Sequence, residues 1–185
     1  MGYGIGVKLN RDPTMDPAKS KFFGDPALPL SLVDSFNGTT MFLCQVCLED
    51  IALFDPENRL PHQGMAYVFL DTVDGKYNLK PIVLFTEEKP EVVVDSFNEE
   101  VPGFEQYTEA LAMTFSAAAE DAEGIRFLGV PSDWNYPNPA PELFLQLDPY
   151  DEDLNFLSEL DGFIYFFFGR GPERLTRITL MEEFS

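Results

Sequence analysis

The apolar residues of this chain occur in short runs that have the length of β-strands. In the first half the runs cover 39–48, 64–72 and 79–86, and in the second half 143–148, 163–168 and 175–181. These runs are rich in β-branched and aromatic residues and are bounded by Gly, Pro and Asp, which is typical of strands. The pair Asp74-Gly75 predicts a hairpin turn, and Pro81 predicts an edge strand or a strand start. We therefore expect a mainly β protein (α+β with few short helices).

Two other segments have different patterns. Residues 104–123 carry apolar side chains three or four positions apart, with acidic side chains between them and Gly124 at the end, which predicts a helix. The apolar positions are Phe104, Tyr107, Leu111, Phe115 and Ala118. Residues 1–20 are polar and contain two prolines, so they predict an irregular arm.

Three motifs occur twice in the same order. The pairs are Lys21–Pro26 with Arg126–Pro131, Phe42–Val46 with Leu143–Leu147, and Gly64–Phe69 with Gly162–Phe167. Conserved order with variable spacing predicts a tandem duplication of a β-roll or sheet unit. We expect a first repeat over 21–86, an acidic connector with a helix over 87–124, and a second repeat over 125–183. Because a unit of about 65 residues is marginally stable alone, both repeats should share one domain spanning 1–185.

The charge of the chain is strongly negative. The 32 acidic and 12 basic residues give a net charge of −20, and 22 of the acids lie in residues 87–185. Such a surface repels nucleic acid and anionic lipid, and it attracts basic proteins. Solubility alone also explains an acidic surface. We therefore expect neither a nucleic-acid nor a membrane partner, and we consider a basic protein partner.

The residues that commonly bind metals or act in catalysis are few. Cys44 and Cys47 have metal-like spacing, but no second pair is present, so we expect small core thiols and no metal or cofactor. His62 is the only histidine, and we expect it in an exposed loop. No catalytic residue is predicted.

Polar and aromatic side chains at repeated positions give two further candidates. Gln45 and Gln146, with Tyr67 and Tyr165, either line a cleft between the repeats or satisfy hydrogen bonds of nearby turns and the core edge. In the loop after the second turn, Trp134 and Tyr136 either contact a partner or cover the edge of the core.

The repeated motifs resemble those of the YwqG-like family, a bacterial domain of unknown function. The resemblance covers residues 20–183 and rests on Lys21–Pro26, Phe127–Pro131, Leu143–Asp148 and Gly162–Phe167. It implies a mainly β fold of two similar halves. Phe23 and Leu128 stand where the family has the first of two glycines. The resemblance also brings an immunity or antitoxin role into consideration, since some relatives are candidate immunity proteins.

These observations lead to one preferred function and one alternative. We expect a non-catalytic, cytoplasmic binding protein that uses an acidic surface against a basic protein. No signal peptide or membrane-length apolar run is visible, and the oligomeric state is left open. The alternative is a small-ligand-binding protein or an enzyme with its site between the repeats. The side chains expected to contact the partner are Glu99, Glu100, Glu105, Glu109, Glu120, Asp121, Glu123, Trp134 and Tyr136.

Overall fold

The chain forms two units of mainly antiparallel β-structure. The computed structural model describes residues 3–36, 38–72, 78–95, 97–154 and 162–184. The first unit comprises Leu9–Asp50 and Pro61–Met113. The second unit comprises Met1–Lys8, Ile51–Leu60 and Thr114–Ser185. The mainly β prediction is confirmed, and the predicted turn at Asp74-Gly75 lies outside the described residues.

The strands follow most of the apolar runs. They are β1 (Tyr3–Arg11), β2 (Lys21–Phe22), β3 (Ala27–Leu28), β4 (Thr40–Cys47), β5 (Met65–Asp71), β6 (Lys80–Thr86), β7 (Val92–Val93), β8 (Leu111–Ala119), β9 (Arg126–Phe127), β10 (Leu143–Leu147), β11 (Gly162–Phe167) and β12 (Thr179–Phe184). One short α-helix, α1, covers Leu48–Ile51, and short 3₁₀ helices cover Leu30–Ser35, Ala52–Phe54, Glu152–Leu154 and Gly171–Glu173. None of the helices in the described ranges offers an apolar stretch long enough to cross a bilayer.

Each unit has its own strand order. In the first unit the neighbours run β8-β2-β4-β5-β6, and β3 pairs separately with β7. In the second unit they run β12-β11-β10-β9-β1-β8. The central pairings correspond closely: Lys21 lies opposite Gln45 and Gln45 opposite Tyr67, while Arg126 lies opposite Gln146 and Gln146 opposite Tyr165. Each Gln-bearing strand also has a register shift, between Phe42 and Cys44 or between Leu143 and Leu145. A tandem duplication predicts this agreement, and the duplication itself remains a prediction.

The predicted helix in the connector is wrong over residues 111–119, which form β8. Leu111 and Met113 are buried while Ala112 and Thr114 are more exposed, a period of two rather than of 3.6. Pairing of Leu111 with Phe22 and of Ala112 with Lys21 gives the backbone its hydrogen-bond partners. Tertiary strand pairing therefore overrides the local helical spacing. Phe104 and Tyr107 lie in turns before the strand.

The predicted irregular arm is wrong for Tyr3–Arg11, which form β1 beside β9. Glycine is required here by close packing. A Cβ atom at Gly4 would lie 2.6 Å from the Cδ atom of Arg126. The glycine-rich start of the chain thus makes room for a buried arginine side chain.

The two units bury different side chains against corresponding strands. In the first unit Tyr67 and Phe69 pack with Leu28 and Phe42, and further apolar side chains cover them, namely Leu32, Val33, Phe36, Ile82, Leu84, Val94 and Phe97. In the second unit the corresponding strand contributes Tyr165 and Phe167, which pack with Leu143, Trp134, Phe163 and Met181.

Candidate functional site

A buried arginine organises the centre of the second unit. Arg126 is fully buried, and its guanidinium donates to the carbonyl oxygens of Glu120, Ala122, Leu128 and Val130 over 2.6–2.9 Å. A fifth bond reaches Oε1 of Gln146 at 3.2 Å. Burial lowers the pKa of Arg126 to about 10, while nearby Asp121 opposes that shift. All five donors are used, so this side chain holds the turn in place rather than binding a ligand.

Lys21 takes the corresponding place in the first unit and makes fewer bonds. Its side chain is buried, and its Nζ donates to the carbonyl oxygen of Asp25 at 2.6 Å. Burial lowers its pKa to about 8, which the carboxylates of Asp25 and Asp16 partly oppose. Beside it lies a cavity of about 550 Å³ that Arg11, Met15 and other residues line. The cavity thus borders the lysine whose counterpart in the second unit is the fully bonded arginine.

Two residues of each turn have left-handed backbone. Phe23 and Gly24 have φ of 55° and 67°, and Leu128 and Gly129 have φ of 63° and 98°. Residues that have a Cβ atom are disfavoured in this region, while glycine is not. The resemblance predicts two glycines at these positions, and the positive φ gives a physical reason for that preference.

The side-chain amides of the repeated glutamines form hydrogen bonds within their own units. The amide of Gln45 accepts from the backbone N–H of Ala27 and donates to the carbonyl oxygens of Pro17 and Lys19. Likewise, Gln146 accepts from Ser132 N–H and donates to the carbonyl oxygens of Ala122 and Gly124. Both side chains are fully buried. These contacts agree with the turn-tying interpretation of the two glutamines.

The repeated tyrosines differ from each other. Tyr67 donates its hydroxyl to the carbonyl oxygen of Ala27 at 2.8 Å. Tyr165 is fully buried, but its hydroxyl has no hydrogen-bond partner among the described residues. It lies among the Ser132 side chain, the Asp133 backbone and the Glu183 carboxylate, all close enough to affect its pKa. Burial raises the pKa of Tyr165, and the Glu183 carboxylate raises it further. The hydroxyl that donates to a backbone carbonyl in the first unit is thus surrounded by Ser132, Asp133 and Glu183 in the second.

An acidic cavity lies at this point of the second unit. It measures about 320 Å³, and its lining residues are Glu123, Ser132, Asp133, Asp148, Tyr150 and Phe163. Ser132 lies in its wall, and the buried Tyr165 hydroxyl and Glu183 carboxylate lie behind Ser132. Glu183 lies directly opposite Phe163 across the β11–β12 pair, and Phe163 stacks on Tyr165. Because directly opposed residues share a face of the sheet, the Glu183 carboxylate joins the aromatic row. Burial raises its pKa, as does Asp133.

The predicted partner-binding acids are exposed but fall into both units. Glu99, Glu100, Glu105 and Glu109 belong to the first unit, and Glu120, Asp121 and Glu123 belong to the second. Glu109 forms an ion pair with Arg11 at 3.2 Å. No acid of the second group forms an ion pair with a basic residue in the part of the chain that the structure describes.

The two aromatic residues of the loop after the second turn, Trp134 and Tyr136, differ in burial and contacts. Trp134 packs edge-on against Phe167 with ring centroids 5.9 Å apart, and its indole N–H donates to the carbonyl oxygen of Asn138. It therefore covers the edge of the core. The ring centroid of Tyr136 lies 4.7 Å from that of Trp134, and the Tyr136 residue is 48% exposed. Tyr136 remains accessible to a partner.

The remaining candidate residues are the two cysteines and the single histidine. Cys44 is fully buried and burial raises its pKa, whereas half-buried Cys47 donates to Glu49 at 3.2 Å. His62 is half-buried in the loop before β5. Among the described residues, no group of three or more His, Cys, Asp or Glu side chains is arranged to hold a metal ion.

Sequence reasoning missed the acidic cavity, because its Ser132, Asp148 and Phe163 come from three separate segments. The only signal was indirect: Asp133 and Glu183 stand where the first repeat has apolar Leu28 and uncharged Thr86. Comparisons give no further identification, since no protein-family model, no curated protein and no solved structure matches the chain. The YwqG-like resemblance therefore stays a prediction.

Proposed function

We propose that this protein is a non-catalytic binding protein whose acidic second unit docks against a basic protein. One observation carries the proposal. Between residues 120 and 153 the chain has nine acidic residues and a single basic one, Arg126, which is fully buried. The exposed charges of this segment are therefore all negative, which favours encounter with a positively charged surface.

The candidate surface consists of Glu120, Asp121 and Glu123, with Tyr136 as an exposed aromatic contact. The three acids have no neutralising ion pair in the described chain, so they remain available to a partner. Glu99, Glu100 and Glu105 supply further exposed negative charge in the first unit. An immunity or antitoxin role fits this chemistry, because an acidic face can occlude the basic cleft of a toxin that acts on nucleic acid.

Affinity capture with a charge-reversal variant tests this proposal. The variant carries Glu120→Lys, Asp121→Lys and Glu123→Lys, and a matched control carries Glu87→Lys, Glu91→Lys and Asp95→Lys. All six positions are exposed, so both variants change the net charge equally. We expect a stoichiometric basic protein that is captured at low salt by wild type and by the control, released at high salt, and lost from the first variant.

The association rate gives a second readout. Steered association slows as salt rises, and reversal of the docking charges should flatten that dependence. Equal capture and equal rates for both variants would show that overall charge, and not this surface, governs binding. A preparation that captures no basic protein at low salt would contradict the proposal.

A further inference from the structure

A buried amine borders a cavity of the first unit. Lys21 is 2% exposed and lies in the wall of the cavity of about 550 Å³. Its backbone is paired on both sides, with Gln45 of β4 and Ala112 of β8, so the side chain is the part that extends towards the cavity. The side chain ends with Nζ 2.6 Å from the carbonyl oxygen of Asp25, and Asp25 lines the same cavity. The amine therefore lies where the turn meets the cavity.

The hydrogen bonding of this amine is incomplete. A lysine ammonium has three donors, and within the described residues Lys21 uses one of them, towards Asp25. At the corresponding position of the second unit, Arg126 uses all five of its donors within the protein. A role in holding the turn thus accounts for the whole guanidinium but for only part of the amine. The rest of the bonding capacity of Lys21 is left for a molecule in the cavity.

The lining favours a small apolar molecule without negative charge. Its apolar residues are Pro13, Met15, Pro17, Val93 and Ala110. Asp12, Asp25 and Glu109 add three carboxylates to the wall. Apart from Lys21 the only cation of the lining is Arg11, whose side chain is paired with Glu109 at 3.2 Å. The surplus of negative charge disfavours a ligand that carries a carboxylate or a phosphate.

Burial also makes the amine a nucleophile near neutral pH. Desolvation lowers the pKa of Lys21 to about 8, which the carboxylates of Asp25 and Asp16 partly oppose. The unprotonated amine is the form that attacks a carbonyl carbon, and desolvated lysines are the ones that form Schiff bases. A guanidinium is protonated at neutral pH and has no such reaction. Lys21 therefore offers chemistry that Arg126 does not.

We propose that this cavity is a covalent binding site for an uncharged aldehyde, with the Lys21 amine as the group that bonds to it. The nitrogen lone pair forms a C–N bond to the carbonyl carbon while the π electrons of the carbonyl move to its oxygen. One hydrogen then passes from nitrogen to oxygen and gives a carbinolamine. The C–O bond breaks, the oxygen leaves as water with the second amine hydrogen, and an imine remains. No oxidant or reductant is consumed, and the site is independent of docking against a basic protein.

Reductive trapping of the imine tests the site. The full chain is incubated at about pH 7.5 with benzaldehyde and sodium cyanoborohydride, which reduces the imine to a stable secondary amine. Peptide mass mapping distinguishes Lys21 from exposed Lys8, Lys19, Lys80 and Lys89 and from the α-amino group. At this pH an amine of pKa about 8 is unprotonated about 200-fold more often than one of pKa about 10.4. We expect Lys21 to react at least about 10-fold faster than each exposed lysine, since limited access offsets part of that advantage.

A charged aldehyde and two variants test the lining. With 4-carboxybenzaldehyde, labelling of Lys21 relative to the exposed lysines should be about 5-fold lower than with benzaldehyde. Glu109→Gln removes the partner of Arg11 and should narrow that difference. The matched control is Glu173→Gln, which removes the partner of Arg177 in a similarly exposed ion pair and should leave the difference unchanged. Thermal melts verify folding, and Asp12→Asn replaces Glu109→Gln if that variant fails to fold.

A pH profile separates a reactive amine from a lysine that only holds the turn. Competitive labelling with trace acetic anhydride should rise with a midpoint at about pH 8 for Lys21 and at about pH 10.4 for the exposed lysines. A midpoint of Lys21 equal to that of the exposed lysines overturns the proposal, as does trapping of Lys21 no faster than theirs. Equal trapping of Lys21 by the neutral and the charged aldehyde overturns an uncharged aldehyde as the ligand.

Discussion

At the scale of single residues, Lys21 and Arg126 occupy corresponding positions in the two units, but their buried charges are hydrogen-bonded differently. Arg126 uses five donors, whereas within the described residues the ammonium of Lys21 has one hydrogen bond, to Asp25, and it borders an open cavity. A buried charge that is incompletely paired is costly. The difference makes Lys21 a weak point of the first unit.

Lys21→Arg should stabilise the protein by about 1 kcal/mol, because the longer side chain can reach carbonyl oxygens of the turn as Arg126 does. Arg126→Met should destabilise it by about 3 kcal/mol or more, since several carbonyl oxygens lose their donors at once. Urea unfolding of both variants measures the effects. A Lys21→Arg variant less stable than Lys21→Met would show that the cavity cannot accept a guanidinium.

The same lysine predicts a pH dependence. Its pKa is about 8 in the folded protein and higher when unfolded, so between these values the unfolded state binds more protons. Stability should therefore rise between about pH 8 and about pH 10.5 in wild type relative to Lys21→Met. Exposed Lys80→Met is the control, and a difference between wild type and Lys21→Met that does not vary with pH would contradict the assignment.

Leu128 tests whether backbone strain or burial dominates at the left-handed turn. Leu128→Gly relieves about 1–2 kcal/mol of strain but empties a fully buried site, which costs about 2–5 kcal/mol. We expect a net loss of about 2 kcal/mol by thermal or urea unfolding. Exposed Asn58→Gly, also at positive φ, should be nearly neutral. A glycine variant as stable as wild type would show that strain outweighs packing here.

At the scale of elements, a strand was predictable where its own residues show the composition and the flanking turns that are typical of strands. β4, β5, β10 and β11 are apolar on both faces and bounded by turns, so their periodicity and composition agree. β1 and β8 were not predictable, because their pairing partners lie far along the chain. The start of β1 gave no strand signal, because nothing local reveals that Gly4 packs on Arg126. The acidic cavity was not predictable for the same reason, because its lining residues come from separate segments of the chain.

Ala117 on β8 distinguishes the observed strand from the expected helix. The side chain is exposed, so Ala117→Val changes backbone preference more than packing. In a strand this substitution should stabilise by about 0.5 kcal/mol, whereas in a helix it should destabilise by a similar amount. Urea unfolding decides the sign, and a loss of stability with an unchanged circular dichroism spectrum would argue for helix.

At the scale of the whole molecule, a net charge of −20 acts on folding as well as on binding. Like charges repel more strongly in the folded state, where they are closer together, and salt screens that repulsion. Raising potassium chloride from about 10 mM to about 300 mM should therefore raise Tm by about 2–4 °C, equivalent to about 1 kcal/mol. Calorimetry at both salt concentrations checks this, and a lower Tm at high salt would indicate that attractive ion pairs dominate.

The ends of the two strand orders carry a consequence for aggregation. β6 and β12 stand at those ends, and Pro81 near the start of β6 fits the predicted edge strand. Open strand edges can template pairing between molecules, and proline and charged side chains discourage it. β12 carries Glu182 and Glu183, and burial raises the pKa of Glu183, so the negative charge of that side chain weakens in mild acid. Concentrated samples should therefore lose colloidal stability first in mild acid, where the protection of β12 fades while the proline of β6 is unaffected.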